Sequence, residues 1–173
     1  YQRGKYDWAI ADFGKPGLDK SGAVHASVQA EVVKERVKKM RGKVYSVYEL
    51  AFPEITGIDK GVYPERMWAE VYENNKKGIV EIDLTIWNKP AVRLPEAYWL
   101  SFDVDNILSI IAEKIGQRVD VFDVVERGNR QMHGIDHYID LITSAGTLRI
   151  MSETAFLVNI GEADGLNLSL IHI

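Results

Sequence analysis

The stretch Ile79-Val80-Glu81-Ile82-Asp83-Leu84-Thr85-Ile86-Trp87 decides the fold class. Val80, Ile82, Leu84 and Ile86 alternate with Glu81, Asp83 and Thr85, a period of two that puts the aliphatic side chains on one face of a half-buried strand. Immediately upstream, Asn74-Asn75-Lys76-Lys77-Gly78 has the chemistry of a tight reversal, and Met67–Glu73 precedes it. Asn and Gly tolerate the left-handed backbone that hairpin loops need. The whole predicts a β-hairpin.

Working outward, alternation returns in Ala97–Val104, where Tyr98, Leu100, Phe102 and Val104 share a side. Val119–Val125, His137–Thr143, Thr147–Met151 and Ala155–Ile160 read as further short strands, and Ile107–Ile115 fits either a strand or a short helix. Short strands separated by turn residues predict an antiparallel β-sandwich. The N-terminal part reads differently. Tyr1–Ser21 is a loop or linker with a Pro16-Gly17 turn. Gly22–Arg41 carries Val24, Val28 and Val32, with Val33 and Val37, at spacings of four, and Lys34, Lys38, Lys39 and Arg41 crowd its end before Gly42. This predicts a helix with cations at its C-terminus and a glycine stop. Val44–Phe52 suits a second helix or a strand, and Pro53–Pro64 a loop. The expected organisation is a linker over 1–21, a helical segment over 22–58, a β-sandwich over 59–167, and a tail over 168–173. Leu168–Ile173 back-translates to a string resembling the transposon end used to prepare sequencing libraries and is read as such an artefact, with a final edge strand as the alternative. The opening at Tyr1, with Trp8 and Phe13 close behind, is expected to be a cut start.

Composition narrows the function. The 173 residues are 46% hydrophobic and 27% charged with net charge -4, which is a globular balance without the basic face of a nucleic-acid binder. With no cysteine there is no thiolate metal site and no cysteine nucleophile. No run of about 18 apolar residues is present, so neither nucleic acid nor membrane is an expected partner.

Three constellations carry candidate chemistry. In Arg130-Gln131-Met132-His133-Gly134-Ile135-Asp136-His137, two histidines four apart would share a zinc ion on a helix. On a strand the same pair is about 13 Å apart, too far for one ion. Arg130, His133 and Asp136 then form either a polar cluster facing a cleft or a turn bonded to its own backbone. In Lys89–Ala97, Pro90 and Pro95 enforce extended backbone, and Arg93 and Glu96 either pair or face a ligand. Trp87 and Trp99 flank this segment; an indole stacks on the apolar face of a sugar or packs into a core. Asp103 and Asp105 share a strand face, a pattern open to calcium, acid–base work or plain solvation.

The motifs Asp12–Gly17 (DFGKPG), Lys89–Phe102 (KPAVRLPEAYWLSF) and Gly128–Asp136 (GNRQMHGID) resemble, in order, landmarks of proteins with the uncharacterised domain numbered 5054, which are similar to glycoside hydrolase family 38, the α-mannosidases. The resemblance spans roughly Tyr6 to Asp140. It implies a catalytic barrel, a helical region and a galactose-mutarotase-like sandwich, of which this chain would supply the parts after the barrel. On that resemblance the carboxylate nucleophile and most zinc ligands sit in the barrel, so no catalytic residue, metal ligand or cofactor is carried onto this chain. Arg130, His133, Asp136, Glu96 and Arg93 are the candidate sugar contacts, with carbohydrate and the barrel as expected partners. A stand-alone carbohydrate-binding or structural sandwich is the alternative.

Overall fold

The computed structural model describes residues 26–58, 60–92, 96–126, 128–161 and the backbone of 168–172. Among them every regular element is a strand. The strands are β1 (Glu31–Met40), β2 (Lys43–Ala51), β3 (Arg66–Asn74), β4 (Ile79–Trp87), β5 (Tyr98–Phe102), β6 (Ile107–Lys114), β7 (Gln117–Asp120), β8 (Met132–Gly134), β9 (Tyr138–Thr143), β10 (Gly146–Met151), β11 (Leu157–Ile160) and β12 (Leu168–His172). They form three antiparallel four-stranded sheets, ordered β1-β2-β3-β4, β10-β9-β6-β7 and β5-β12-β11-β8. The chain divides into two units, Tyr1–Arg93 and Leu94–Ile173.

The expected N-terminal helix is corrected. Glu31–Met40 is a strand paired with β2 from Glu31↔Ala51 to Met40↔Lys43, and Val44–Phe52 is dominated by strand β2. A spacing of four satisfies period two as well as it satisfies 3.6, and β-branched valine packs best on a pleated surface. The lysines also change meaning. Lys34, Arg36 and Lys38 project from one face of β1, and two of them find carboxylates across the sheet: Arg36 lies 3.7 Å from Glu49 and Lys38 lies 2.7 Å from Glu70. Gly42 ends no helix. Arg41 and Gly42 have φ of 51° and 77°, the two left-handed residues of a tight hairpin turn. Val24 and the segment Tyr1–Ser21 lie outside the described residues.

The predicted hairpin is present as β3–β4, in register from Arg66↔Trp87 to Asn74↔Ile79. Asn74 closes its loop by accepting from the Lys77 amide at 3.0 Å, and Gly78 takes φ 61°. β2 pairs with β3 and so joins the two hairpins into one sheet.

In the second unit the strands expected over Ala97–Val104, His137–Thr143, Thr147–Met151 and Ala155–Ile160 appear as β5, β9, β10 and β11, and Ile107–Ile115 resolves into β6. The strand expected at Val119–Val125 is instead β7, which starts two residues earlier and ends at Asp120. The two sheets of this unit share one core. Ile110, Ala112, Val121, Ile135, Ile139, Leu141, Ile150 and Val158 are buried together, with Phe102, Val104, Ile107 and Ile160 packed against them. This mainly β, antiparallel arrangement is consistent with a sandwich. The backbone of Leu168–His172 pairs with β5 on one side and β11 on the other.

Candidate functional site

The segment Gly128–His137 links the two sheets of the second unit, and its polar residues build that link. Asn129 begins it with a side-chain turn, Oδ1 accepting from the amides of Gln131 at 2.8 Å and Met132 at 3.1 Å. β8 then pairs with β11, setting His133 opposite Val158. Next the backbone crosses over. The Ile135 amide donates to the Phe156 carbonyl at 2.8 Å, beside β11, and the Asp136 amide donates to the Glu113 carbonyl on β6 at 2.8 Å. Ile135 enters the core between these anchors.

His133 is 3% exposed. Its Nε2 lies 3.1 Å from the Arg130 carbonyl and its Nδ1 lies 2.9 Å from Lys114 Nζ on β6. A carbonyl can only accept and an ammonium can only donate, so the contacts assign the neutral tautomer with the proton on Nε2. Burial lowers the His133 pKa, the bond to the Arg130 carbonyl opposes that shift, and the Lys114 charge adds to it.

Asp136 Oδ2 accepts from the Gly116 amide at 2.9 Å. That amide belongs to the β6–β7 turn, where Ile115 and Gly116 take φ of 52° and 69°. A β-branched residue at positive φ is strained, and the carboxylate of Asp136 holds the turn from outside. His137 Nδ1 lies 2.9 Å from Glu113 Oε2. Thus Glu113, Lys114 and Gly116, consecutive save for Ile115, each bond to the Gly128–His137 segment. Sequence reasoning missed this partner hairpin. Gly116 between two alternating runs was its signal, since glycine takes the left-handed backbone that a two-residue turn needs.

The remaining candidates do not join this cluster. Arg130 is exposed and contributes its backbone carbonyl. Glu96 Oε2 accepts from the Tyr98 hydroxyl at 3.1 Å; burial and then that hydrogen bond push the Tyr98 pKa well up. Arg93 lies outside the described residues. Asp103 and Asp105 are both exposed. Among the described residues no group of three His, Asp or Glu side chains is placed to hold a metal ion. The zinc implied by the resemblance therefore finds no fitting donor set in the described part of the chain. No helix among the described residues is long and apolar enough to cross a membrane.

A second buried polar group lies in the same unit. Asp140 on β9 is fully buried, receives Arg149 Nε and Nη2 at 2.7 and 2.8 Å, and has Arg118 Nη2 at 3.2 Å. The Arg149 hydrogen bonds hold its carboxyl below the ordinary carboxylate range against the cost of burial. The Arg149 guanidinium also stacks over the Tyr138 ring at 3.8 Å.

The flanking indoles remain open. Trp87 is 56% exposed and Trp99 41%. Trp87 meets Trp68 edge to face at 6.1 Å between centroids. On that face of the first sheet, Arg36, Lys38, Val47, Trp68 and Glu70, with the strand at Val37 between Arg36 and Lys38, line a shallow groove of about 390 Å³.

Comparison with family models, with curated proteins and with solved structures returns no match for this chain.

Proposed function

We propose that this chain is a non-catalytic β module of a carbohydrate-active protein, a galactose-mutarotase-like sandwich of an α-mannosidase-like glycoside hydrolase that supports a catalytic barrel and offers sugar contacts through its indoles. One observation carries the non-catalytic part: the polar side chains of Gly128–His137 that reaction chemistry would need are bonded within the fold. His133 has both ring nitrogens engaged and Asp136 fixes a backbone turn. A general acid or base must reach the proton it transfers, and a ring with 3% exposure does not. The carbohydrate part rests on the sequence resemblance together with the openness of Trp87 and Trp99, whose faces suit the apolar side of a pyranose.

The test is titration of the chain with α-linked mannose oligosaccharides by calorimetry, alongside a hydrolysis assay on an aryl α-mannoside. Binding without turnover, weakened in Trp87→Ala or Trp99→Ala and unaltered in His133→Leu, is the expected outcome. Turnover by this chain would overturn the non-catalytic reading. Absence of binding would leave the purely structural module, the second reading, which the internal bonding of the polar cluster equally favours.

A further inference from the structure

The first sheet has two unlike faces. One carries the ion pairs of Lys38 with Glu70 and of Lys43 with Glu81, the Lys43 ammonium lying 4.2 Å over the Tyr72 ring. The other is mainly aliphatic, with Glu35, Lys39 and Glu73 on it. Its rows follow from register: Val32, Leu50, Met67 and Ile86; then Glu35, Tyr48, Ala69 and Leu84; then Val37, Ser46, Val71 and Ile82; with Lys39 beside Val44, and Glu73 beside Val80, beyond. An apolar sheet face is ordinarily the one packed on a core. Here Val32, Val37, Val44, Val80, Ile82 and Leu84 are all exposed, Val37 to 68%, while Met67 and Ala69 on the inner strand β3 are buried. Single exposed aliphatics are ordinary, but a contiguous face of them marks an interaction surface.

We propose that this face is the interface of a two-fold dimer of the chain. Size is the first argument. Four strands about 4.8 Å apart and eight residues at ~3.3 Å each give a face of about 500 Å². Two such faces come at most to about 1,000 Å², the lower bound for a specific interface. Charge is the second. Glu35 and Lys39 flank Val37 symmetrically on β1, two residues to either side. A two-fold axis perpendicular to the strands and over the Val37 row sets Val37, Val71 and Ile82 against their own copies. The same operation sets Glu35 of each copy against Lys39 of the other, twice. An isologous interface demands such self-complementarity, and the two ion pairs fix its register more than its affinity. Aligned packing of two sheets about 10 Å apart accommodates these side chains.

The experiment is sedimentation velocity on the intact chain across a micromolar concentration series, with Ile82→Lys, Glu35→Lys, Lys39→Glu and the double swap Glu35→Lys/Lys39→Glu. The expected results are a closed monomer–dimer equilibrium, loss of dimer in Ile82→Lys, and dimer dissociation constants raised about tenfold or more in each single swap. The double swap, which restores opposite charges, returns dimerisation toward the original value. All three side chains changed are exposed, and unaltered circular dichroism confirms that each variant folds. A chain that stays monomeric throughout the series overturns the proposal, as does open-ended association. Dimerisation that the swaps and Ile82→Lys leave untouched assigns the contact elsewhere and also overturns it.

Discussion

Replacing His133 by alanine separates a structural histidine from a catalytic one. The ring is 3% exposed and spans two sheets through the Arg130 carbonyl and Lys114. Deleting it leaves a void in a closely packed site, worth about 2 kcal/mol by analogy with other large-to-small core changes. The lost hydrogen bond to the Arg130 carbonyl adds about 1 kcal/mol. Lys114 is only half-buried and turns to water, so it adds little. The sum, about 3 kcal/mol, lowers the melting temperature of a unit this size by roughly 15 °C. The pH dependence is the sharper test. The His133 pKa is lowered from 6.5 in the folded chain, so the unfolded chain binds the proton more tightly. Its contribution is therefore complete above pH 6.5 and is lost as pH falls from there toward the folded-state value. Urea denaturation between pH 8 and 5, followed at Trp99, which is the lone tryptophan of the unit Leu94–Ile173, reads both effects. His133→Leu fills most of the void and flattens the same part of the profile. A loss below about 0.5 kcal/mol in the alanine variant, within the range of ordinary surface changes, would refute the reasoning. So would a pH profile that the leucine variant leaves unaltered.

The other predictions address the turn and the buried carboxylate. Ile115 is 93% exposed at φ 52°, so Ile115→Asn relieves strain without losing packing and stabilises the unit by about 1 kcal/mol in thermal denaturation; a destabilisation would contradict the turn geometry. Asp136→Ala removes the acceptor of the Gly116 amide and costs about 1–2 kcal/mol, with faster amide exchange at Gly116 as its local signature. Asp140 has a carboxyl held below its usual value of 3.8, so its stabilisation is present above that pH and disappears as pH falls through the folded-state value. An acid titration of Asp140→Asn should lack that low-pH phase. Arg149→Met leaves Asp140 buried beside Arg118 alone and lowers the midpoint of thermal denaturation, whereas an unaltered midpoint would contradict the pairing.

Strands bounded by loop chemistry could be read from sequence alone. Ile79–Trp87 alternates strictly and follows an Asn-rich loop, and only a hairpin satisfies both. β1 could not be read so, because valines four apart lie on one face of a helix and on one face of a strand alike. What distinguishes them is the partner strand, in particular the acids Glu49 and Glu70 that receive Arg36 and Lys38, and that partnership is not local. The polar cluster was legible as a group of residues but not as a purpose. His133 and Asp136 stand out in sequence for their chemistry. Their partners, Lys114 and the Gly116 amide, lie 19 and 20 residues away. A hydrogen bond to a turn amide leaves no mark on residue type, so a carboxylate bracing a strained hairpin looks in sequence like one awaiting a ligand.

The most direct test of the non-catalytic reading is a nitrogen–proton correlation spectrum recorded while mannose oligosaccharide is added. The account predicts that the indole signals of Trp87 or Trp99 move while the Gly116 amide and the His133 ring stay where they are. Movement at Gly116 and His133 with both indoles still would contradict it, because the polar cluster would then be the ligand's seat.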